Sequence, residues 1–378
     1  MRQSTRGQVD PFIVMDVMEQ ARALEASGRS VIHMEVGQPS TPAPAGARAA
    51  LAQALESDAL GYTVALGLPA LRQGIAALYQ RWYGVDLDPA RVVVTPGSSG
   101  AFILAFSALF DAGDRVALGE PGYPSYRQIL RAMSLDPVGI PTRPEDRYQP
   151  RPGDLPQAEG LILASPGNPS GTMLSRPELD ALCQAAQARG MAVISDEIYH
   201  GLSYGDRAVS ALEVTDEAFV INSFSKYFSM TGWRVGWMVV PPSHIRTVER
   251  LAQNMFICPP HASQVAALAA LNCEAEAEAN LAVYAENRRL MLEELPRIGF
   301  DRIAPPEGAF YIYADVSHLT DDSLAFAAQI LNSAGVAVTP GLDFDPLRGG
   351  RTLRFSYARS SADIAEGLKR LAGFMAAR

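Results

Sequence analysis

The sequence has few cysteines and no long apolar run, and both shortages limit the class of protein. Its 378 residues include three cysteines, an odd number without a CxxC pair, which favours a reducing compartment over a disulfide-stapled secreted fold. The longest apolar stretches, such as residues 101–106, fall far short of the roughly 18 residues that a membrane span needs. The N-terminus has no apolar signal segment. These features predict a cytoplasmic protein with no membrane partner.

Clustered positive charge and the common catalytic strings are missing too. The formal net charge is -9, which disfavours nucleic acid and anionic membranes as partners, because both bind clustered Lys and Arg. There is no GxGxxG, GxxxxGK[ST], GxSxG or HExxH string. The five histidines show no metal-ligand spacing, so no metal site is expected. Apolar residues make up 48% of the chain, enough for a large core, and the length suggests about two domains.

Lysine is nearly absent. Only Lys226 and Lys369 are lysines among the 32 basic residues, so surface charge in this chain is carried by arginine. A lysine amine, unlike a guanidinium, can lose its proton and form a Schiff base. Lys369 lies on the polar face of a predicted C-terminal helix and has the context of a surface charge. Lys226 follows an apolar strand, and on this context alone a structural and a chemical role fit it equally well.

Six short apolar runs alternate with helical patterns between residues 90 and 240, and they predict the fold. The runs cover residues 91–95, 114–118, 160–164, 191–195, 219–222 and 235–240. Most are continuously apolar, which is typical of strands buried on both faces of a parallel sheet. We therefore expect a large α/β domain with a mostly parallel central sheet flanked by helices. Ligands of such sheets bind at the carboxyl ends of the strands.

The C-terminal part has a different pattern. Helices are predicted at 277–294 and 322–334 and at the C-terminus, with strands at 309–313 and 352–357. This mixture predicts a smaller α+β domain. The predicted organisation is an N-terminal segment (1–35) that packs on the small domain, a large α/β domain (36–270) and a small C-terminal domain (271–378).

Chemically distinctive turns follow five of the predicted strands. They are Thr95–Gly100, Glu120–Tyr126, Ser165–Thr172, Ser195–Tyr199 and Ser223–Lys226. The small residues of the first turn expose backbone N–H groups at a helix N-terminus, where a phosphate can bind. The others supply an aromatic ring for stacking, an amide, a carboxylate with a phenol, and Lys226. Each turn alone is more often structural, but five at one sheet edge predict a ligand site.

Several motifs in these turns resemble one enzyme family. Ser223-x-Ser225-Lys226 with Arg234, Asn168-Pro169-Ser170-Gly171-Thr172, Asp196-Glu197-Ile198-Tyr199, Gly61-Tyr62-Thr63 and Arg354-Phe355-Ser356-Tyr357-Ala358 resemble motifs of the class I/II aminotransferases. These are fold-type I enzymes that depend on pyridoxal 5′-phosphate. The resemblance extends over about residues 30 to 375 in matching order, and it implies the fold predicted above.

The resemblance implies roles at the cofactor. Lys226 would form the internal aldimine and shuttle a proton, Asp196 would pair with the pyridine nitrogen, and Tyr199 would hydrogen-bond the ring's 3-oxygen together with Asn168. Tyr123 would stack on the ring face. The phosphate ligands would be Ser98, Ser99, Ser223, Ser225, Arg234 and, from a neighbouring subunit, Tyr62. The last implies a homodimer with shared active sites.

The resemblance also implies a substrate site. Arg354 would bind the α-carboxylate, with Asn168 and Gly37 beside it. In its strand Arg354 takes the face opposite to the flanking apolar residues, so it can point into an interdomain cleft. The segment Thr339-Pro340-Gly341-Leu342-Asp343-Phe344 resembles a loop near the substrate, but it has Leu342 and Asp343 where the family commonly has small residues.

Three functions remain open on the sequence. The first is an aminotransferase that moves the amino group of a neutral, aromatic or aspartate-like L-amino acid to a 2-oxo acid such as 2-oxoglutarate. The second is a C–S β-lyase with the same cofactor. The third is a non-catalytic ligand-sensing domain, which is disfavoured because no DNA-binding domain precedes residue 30 and the expected catalytic side chains are all present.

Overall fold

Eleven α-helices and thirteen β-strands form the protein in a computed structural model that describes all 378 residues. The helices are α1 Ile13–Ala26, α2 Ala45–Ser57, α3 Pro69–Tyr83, α4 Gly97–Leu109, α5 Pro124–Ala132, α6 Arg176–Ala188, α7 Ile245–Met255, α8 His261–Ala270, α9 Glu274–Arg297, α10 Ser323–Ala334 and α11 Ser361–Ala376. The strands are β1 Ile32–His33, β2 Val92–Thr95, β3 Arg115–Glu120, β4 Asp136–Pro141, β5 Gly160–Ala164, β6 Ala192–Asp196, β7 Phe219–Ser223, β8 Gly236–Val239, β9 Arg302–Ile303, β10 Tyr311–Asp315, β11 Val336–Ala337, β12 Thr339–Pro340 and β13 Thr352–Ser356. None of the helices combines the length and the apolar character needed to cross a membrane.

A seven-stranded sheet forms the larger part of the molecule. Its order is β2-β8-β7-β6-β5-β3-β4, and all neighbours are parallel except β8, which runs antiparallel to β2 and β7. Every residue of β2, β7 and β8 is buried, as expected for a sheet covered by helices on both faces. The mostly parallel α/β fold that the sequence predicts is confirmed.

The sequence analysis missed the edge strand β4. All six predicted apolar runs are strands, but β4 begins with Asp136-Pro137 and ends at Pro141. A proline cannot donate a ladder hydrogen bond, so it weakens a strand pattern, yet an edge strand tolerates it because one side of the ladder is free. Strand β4 pairs only with β3, which accounts for the two prolines.

The pairing register brings the ends of the central strands level with one another. Ala164 of β5 pairs with Asp196 of β6, and Asp196 pairs with Ile221 of β7. Strands β5, β6 and β7 each end within two residues of these paired positions. The turns that carry Asn168, Tyr199 and Lys226 therefore emerge side by side at one edge of the sheet.

A second, four-stranded antiparallel sheet has the order β12-β13-β10-β9. The two strands predicted here correspond to β10 and β13, whereas the two-residue strands β9 and β12 are too short to leave a pattern. The N-terminal segment contacts this part of the molecule, since β1 pairs in parallel with β11 and Val17 of α1 packs against Leu331 and Ala337. The domain boundaries at residues 35 and 270 stay predictions.

A loop from the smaller sheet docks on the end of β3. The Arg348 guanidinium donates to the backbone carbonyls of Thr142 (2.8 Å) and Glu120 (2.5 Å), and its Nε donates to Asp345 (2.7 Å). The Phe344 carbonyl accepts the Gly122 N–H at 3.1 Å. The cleft between the two sheets is therefore bridged on one side by residues 343–348.

Leu161→Ala tests the position of the sheet in the core. Leu161 lies on the central strand β5, has no exposed surface, and belongs to the largest apolar cluster. We expect the substitution to lower the free energy of unfolding by about 2–5 kcal/mol, because it leaves a cavity in a close-packed core. Leu347, which is 85% exposed, is the matched control. Denaturant unfolding of both variants measures the difference, and equal losses for Leu161→Ala and Leu347→Ala would contradict this fold.

Candidate active site

A cavity of about 450 Å³ opens at the carboxyl ends of the central strands, between the two sheets. The predicted site residues that line it are Gly37, Ser98, Ser99, Tyr123, Asn168, Asp196, Tyr199, Ser225, Lys226, Arg234 and Arg354. Ser223 and Tyr62 do not line it. The structure thus brings together residues that lie more than 300 positions apart in the sequence.

One end of the cavity is suited to a phosphate. Helix α4 begins there with Gly97, whose φ of +71° favours glycine, and Ser98 and Ser99 follow in its first turn. A Cβ at Gly97 would collide with the Arg234 guanidinium, so the positive charge lies directly against the helix N-terminus. Four N–H groups at such a terminus lack intrahelical partners and attract anions.

Ser223 does not line this end of the cavity but contacts Ser225, which does. Its hydroxyl is 2.8 Å from the Ser225 hydroxyl and accepts the Ser225 N–H at 3.1 Å. It also donates to the Val235 carbonyl at 3.1 Å. Ser225 lines the cavity, whereas Ser223 fixes the turn that carries Ser225 and Lys226.

Asp196 is buried at the base of the cavity, where the Tyr126 hydroxyl and the Ile198 N–H (3.1 Å) donate to its carboxylate. Burial raises the pKa of Asp196 to about 6, although these hydrogen bonds and the charge on Lys226 act in the opposite direction. A buried carboxylate in this position can hold a protonated ring nitrogen.

Lys226 extends into the cavity, and its Nζ donates to the Gly37 carbonyl at 2.5 Å. The pKa of Lys226 is lowered to about 7, first by burial and then by the positive charges of Arg354 and Arg234, while Asp196 raises it. A lysine with this pKa is partly neutral near neutral pH and can act as a nucleophile or as a base. Lys369, by contrast, is exposed on α11.

Arg354 is buried without a carboxylate partner. Its guanidinium donates to three neutral oxygens, namely Asn168 Oδ1 (2.9 Å), the Glu35 carbonyl (2.5 Å) and Thr339 Oγ1 (3.2 Å). Its Nε is buried and has no hydrogen-bond partner. Burying an unpaired charge is costly, so an arrangement of this kind is typical of a site that receives an anion from a ligand.

Two further tyrosines complete the cavity, and the sequence analysis missed both. The Tyr126 hydroxyl contacts Asp196, and the Tyr311 hydroxyl is 2.7 Å from that of Tyr199. The Tyr311 ring also lies 4.3 Å from the Arg354 guanidinium carbon, and its hydroxyl occupies the space that a Cβ at Gly37 would need. The position of Tyr126, three residues after Tyr123 on a predicted turn, was the only available signal.

Apolar residues of the N-terminal segment form another part of the lining that was not predicted. Phe12, Val14 and Met15 face the cavity from the start of α1. Phe12 packs edge-on against Tyr123, with ring centroids 5.9 Å apart. Nothing in the local sequence relates these residues to the turns that follow the central strands.

Tyr62 is 84% exposed and lies away from the cavity of its own chain. The neighbouring segment is fixed, because His261 Nδ1 is 2.9 Å from the Gly61 carbonyl. Thr63 N–H donates to Cys258 Sγ at 3.5 Å, which brings residues 61–64 next to residues 255–258, and Val64, Met255 and Ile257 are about half exposed. The role predicted for Tyr62 requires a second subunit and stays a prediction.

The residues present fit pyridoxal phosphate. Three basic residues (Lys226, Arg234 and Arg354) face the cavity with only one carboxylate, Asp196, in a chain whose net charge is -9. A phosphate at α4 and a substrate carboxylate at Arg354 would supply the missing negative charge. Asp196 lies at the base for the ring nitrogen, and Lys226 is the amine that can bind the aldehyde.

Comparisons with known proteins agree with this chemistry. The family model for aminotransferase class I and II matches residues 29–371. The chain is 49% identical over 382 residues to a valine–pyruvate aminotransferase of Mycobacterium tuberculosis, with 99% of this chain and 98% of the relative covered. It is 33% identical to an aspartate aminotransferase of Thermotoga maritima, with 96% of each chain covered.

Solved structures give the same result. An aminotransferase from Mycobacterium tuberculosis superposes with a TM-score of 0.98 at 48% identity over 100% of both chains. The aspartate aminotransferase of Thermus thermophilus with maleate superposes with a TM-score of 0.92 at 31% identity, over 99% of this chain and 100% of that one. The chain therefore belongs to the class I and II aminotransferases, and it is a pyridoxal 5′-phosphate-dependent aminotransferase.

Proposed function

We propose that this aminotransferase exchanges the amino group of a small apolar L-amino acid, such as valine, with pyruvate. The observation that carries the proposal is the charge of the cavity lining. Its charged residues are Asp196, Lys226, Arg234 and Arg354, and each already has a place at the cofactor or at the α-carboxylate. No further cation of this chain lines the cavity to receive a second carboxylate.

Within one subunit, the same observation disfavours aspartate as donor and 2-oxoglutarate as acceptor, since each carries a side-chain carboxylate that would need a further cation. The rest of the lining supports an apolar side chain, because Phe12, Val14, Met15, Val36 and Ile198 are among its residues. The substrate pair named for the relative that is 49% identical, valine and pyruvate, has one carboxylate on each member.

The chain's own side chains have distinct tasks in this reaction. Pyridoxal phosphate, when bound, supplies a carbonyl carbon that takes up the amino group and a ring that accommodates the electron pair released at the α-carbon. Arg354 binds the substrate α-carboxylate, with Asn168 Oδ1 orienting its guanidinium. With the cofactor bound, Lys226 Nζ would accept the proton of the substrate α-carbon and hold it during the transfer. The donor leaves as a 2-oxo acid, and pyruvate takes the amino group, so no external oxidant is needed.

The remaining residues hold the cofactor. Asp196 would keep a proton on the ring nitrogen, and Tyr126 keeps the Asp196 carboxylate in place. Tyr199 and Asn168 would bind the ring's 3-oxygen, and Tyr123 would stack on the ring. Ser98, Ser99, Ser225 and Arg234 would bind the phosphate, and Ser223 supports Ser225.

The proposal includes a homodimer in which Tyr62 reaches the phosphate of the partner subunit. The exposure of Tyr62, together with that of Val64 and Ile257, supports an interface at this surface. The three cysteines are free thiols, which supports the predicted cytoplasmic location.

A panel of substrates tests the proposed specificity. We expect kcat/KM for valine with pyruvate to exceed that for aspartate with 2-oxoglutarate by about 100-fold or more, because an unpaired buried charge costs about 3–5 kcal/mol. Coupled assays of 2-oxo acid formation measure both. Lys226→Ala should abolish activity and the visible absorption band together, whereas the matched variant Lys369→Ala should keep both. A preference for aspartate would refute the substrate class, and release of pyruvate and ammonia from cystathionine without an acceptor would favour the β-lyase.

The pH dependence of cofactor capture tests the electrostatics at Lys226. Only the neutral amine attacks the aldehyde, so the rate at which apoprotein captures pyridoxal phosphate should rise with pH through about 7 and then level off. Because the Arg354 charge lowers the pKa of Lys226, Arg354→Gln should move the midpoint to higher pH. Stopped-flow absorbance measures the rate. The exposed Arg289→Gln is the control, and an unchanged midpoint in Arg354→Gln would contradict the coupling.

Mixing two inactive variants tests the shared site. Tyr62→Ala should weaken cofactor binding by roughly 1.5–3 kcal/mol through loss of a hydrogen bond to a charged group. Under conditions where Tyr62→Ala and Lys226→Ala are each inactive, a mixed dimer with shared sites has one intact site, so activity should return after subunit exchange. Mixing Asp196→Ala with Lys226→Ala is the control, because both residues serve the same subunit's site and no intact site can form. A mixture of Tyr62→Ala and Lys226→Ala that stays inactive, or a monomeric protein, would refute the proposal.

A further inference from the structure

Asp343 links the loop of the smaller sheet to the start of α1. Its buried carboxylate accepts the N–H groups of Ile13 (3.0 Å) and Val14 (3.2 Å). These are first-turn donors of α1, which have no partner inside the helix. Phe12, at the N-cap position of the helix, makes no side-chain cap hydrogen bond. The helix is therefore capped by a residue that lies 330 positions away in the sequence.

The turn that Asp343 caps contributes apolar side chains to the cavity lining. Phe12, Val14 and Met15 all belong to this turn or flank it, and all face the cavity. Val14 is 5% exposed, while Met15 is 49% exposed at the cavity mouth. Loss of the cap would free the first turn to fray, and these three side chains would lose their fixed positions.

The neighbouring residue connects the same loop to the substrate carboxylate site. Phe344 is fully buried, and its ring centroid lies 4.7 Å from the Arg354 guanidinium carbon. The Phe344 carbonyl is fixed by the Gly122 N–H, next to Tyr123. Asp343 and Phe344 therefore fix the first turn of α1 relative to Arg354.

We propose that Asp343 is a positioning residue for substrate side-chain selection: by capping α1 it holds Phe12, Val14 and Met15 as a wall that favours branched apolar side chains over shorter ones. The inference rests on the proposed apolar donor. It also gives a reason for an acidic residue at a position where the aminotransferase family commonly has a small one.

Asp322 offers a control for a purely structural effect of capping. It caps α10 by accepting the Ala325 N–H at 3.0 Å, and it is exposed and does not line the cavity. Asp343→Ala and Asp322→Ala each remove an aspartate cap from a helix N-terminus. Only the first should change substrate selection.

Half-reaction rates of the holoenzyme with alanine, 2-aminobutyrate and valine are the measurement. We expect the ratio of kcat/KM for valine to that for alanine to fall about tenfold in Asp343→Ala, because contacts with the added carbons depend on the wall. Asp343→Asn keeps one acceptor oxygen and should restore much of the ratio. Asp322→Ala should leave the ratio at the wild-type value, even where it lowers the melting temperature.

A second pair of variants keeps the test decisive if Asp343→Ala folds poorly. Val14→Ala should lower the same ratio, whereas Val17→Ala, one turn further along α1 and facing the core, should not. A wild-type enzyme that uses valine, with an unchanged ratio in Asp343→Ala or in Val14→Ala, would overturn the role of Asp343 and its wall alone. A wild-type enzyme that does not use valine would refute the proposed donor class and this inference with it.

Discussion

The excess of positive charge in one cavity is the constraint on which the rest of the site depends. Arg354 is buried among neutral oxygens and two aromatic rings, and no carboxylate accepts a hydrogen bond from its guanidinium. Burial lowers the pKa of Lys226 to about 7, and the charges of Arg354 and Arg234 act in the same direction. A single carboxylate, Asp196, faces these cations. The cofactor phosphate and the substrate carboxylate would supply the missing negative charge, so their binding would complete the electrostatics of the folded protein.

The sequence predicted the site residues in the turns after the central strands better than the site residues that tertiary packing brings to the cavity. Residues 160–164, 191–195 and 219–222 are apolar enough to be recognised as buried strands, and parallel strands bring their carboxyl ends together. The turns after them could therefore be assigned to one site from the sequence alone. Tyr311 and Tyr126 could not, because Tyr311 meets Tyr199 only through the packing of the two sheets, and Tyr126 reaches Asp196 from the first turn of α5.

The same distinction applies to the fold. The continuous apolar runs predicted the parallel strands of the large sheet. Strand β4 was not predicted because prolines interrupt its pattern, and β9 and β12 were not predicted because each has only two residues. Short strands of this kind are defined by the partner they pair with and not by their own residues. The antiparallel direction of β8 had no signal either, since an apolar run does not specify the direction of the strand.

Residues 343–348 explain why the two sheets and the N-terminal helix act as one site. Asp343 holds α1, Phe344 packs on Arg354, and Arg348 donates to carbonyls at the ends of β3 and β4. Three parts of the chain that are distant in sequence are therefore fixed relative to one loop. The cofactor residues of the large sheet need this loop to bring the substrate-binding arginine to them, and the substrate side chain meets α1 only where the loop positions it. Specificity can thus change through this loop while the lysine, the aspartate and the phosphate-binding turn stay as they are.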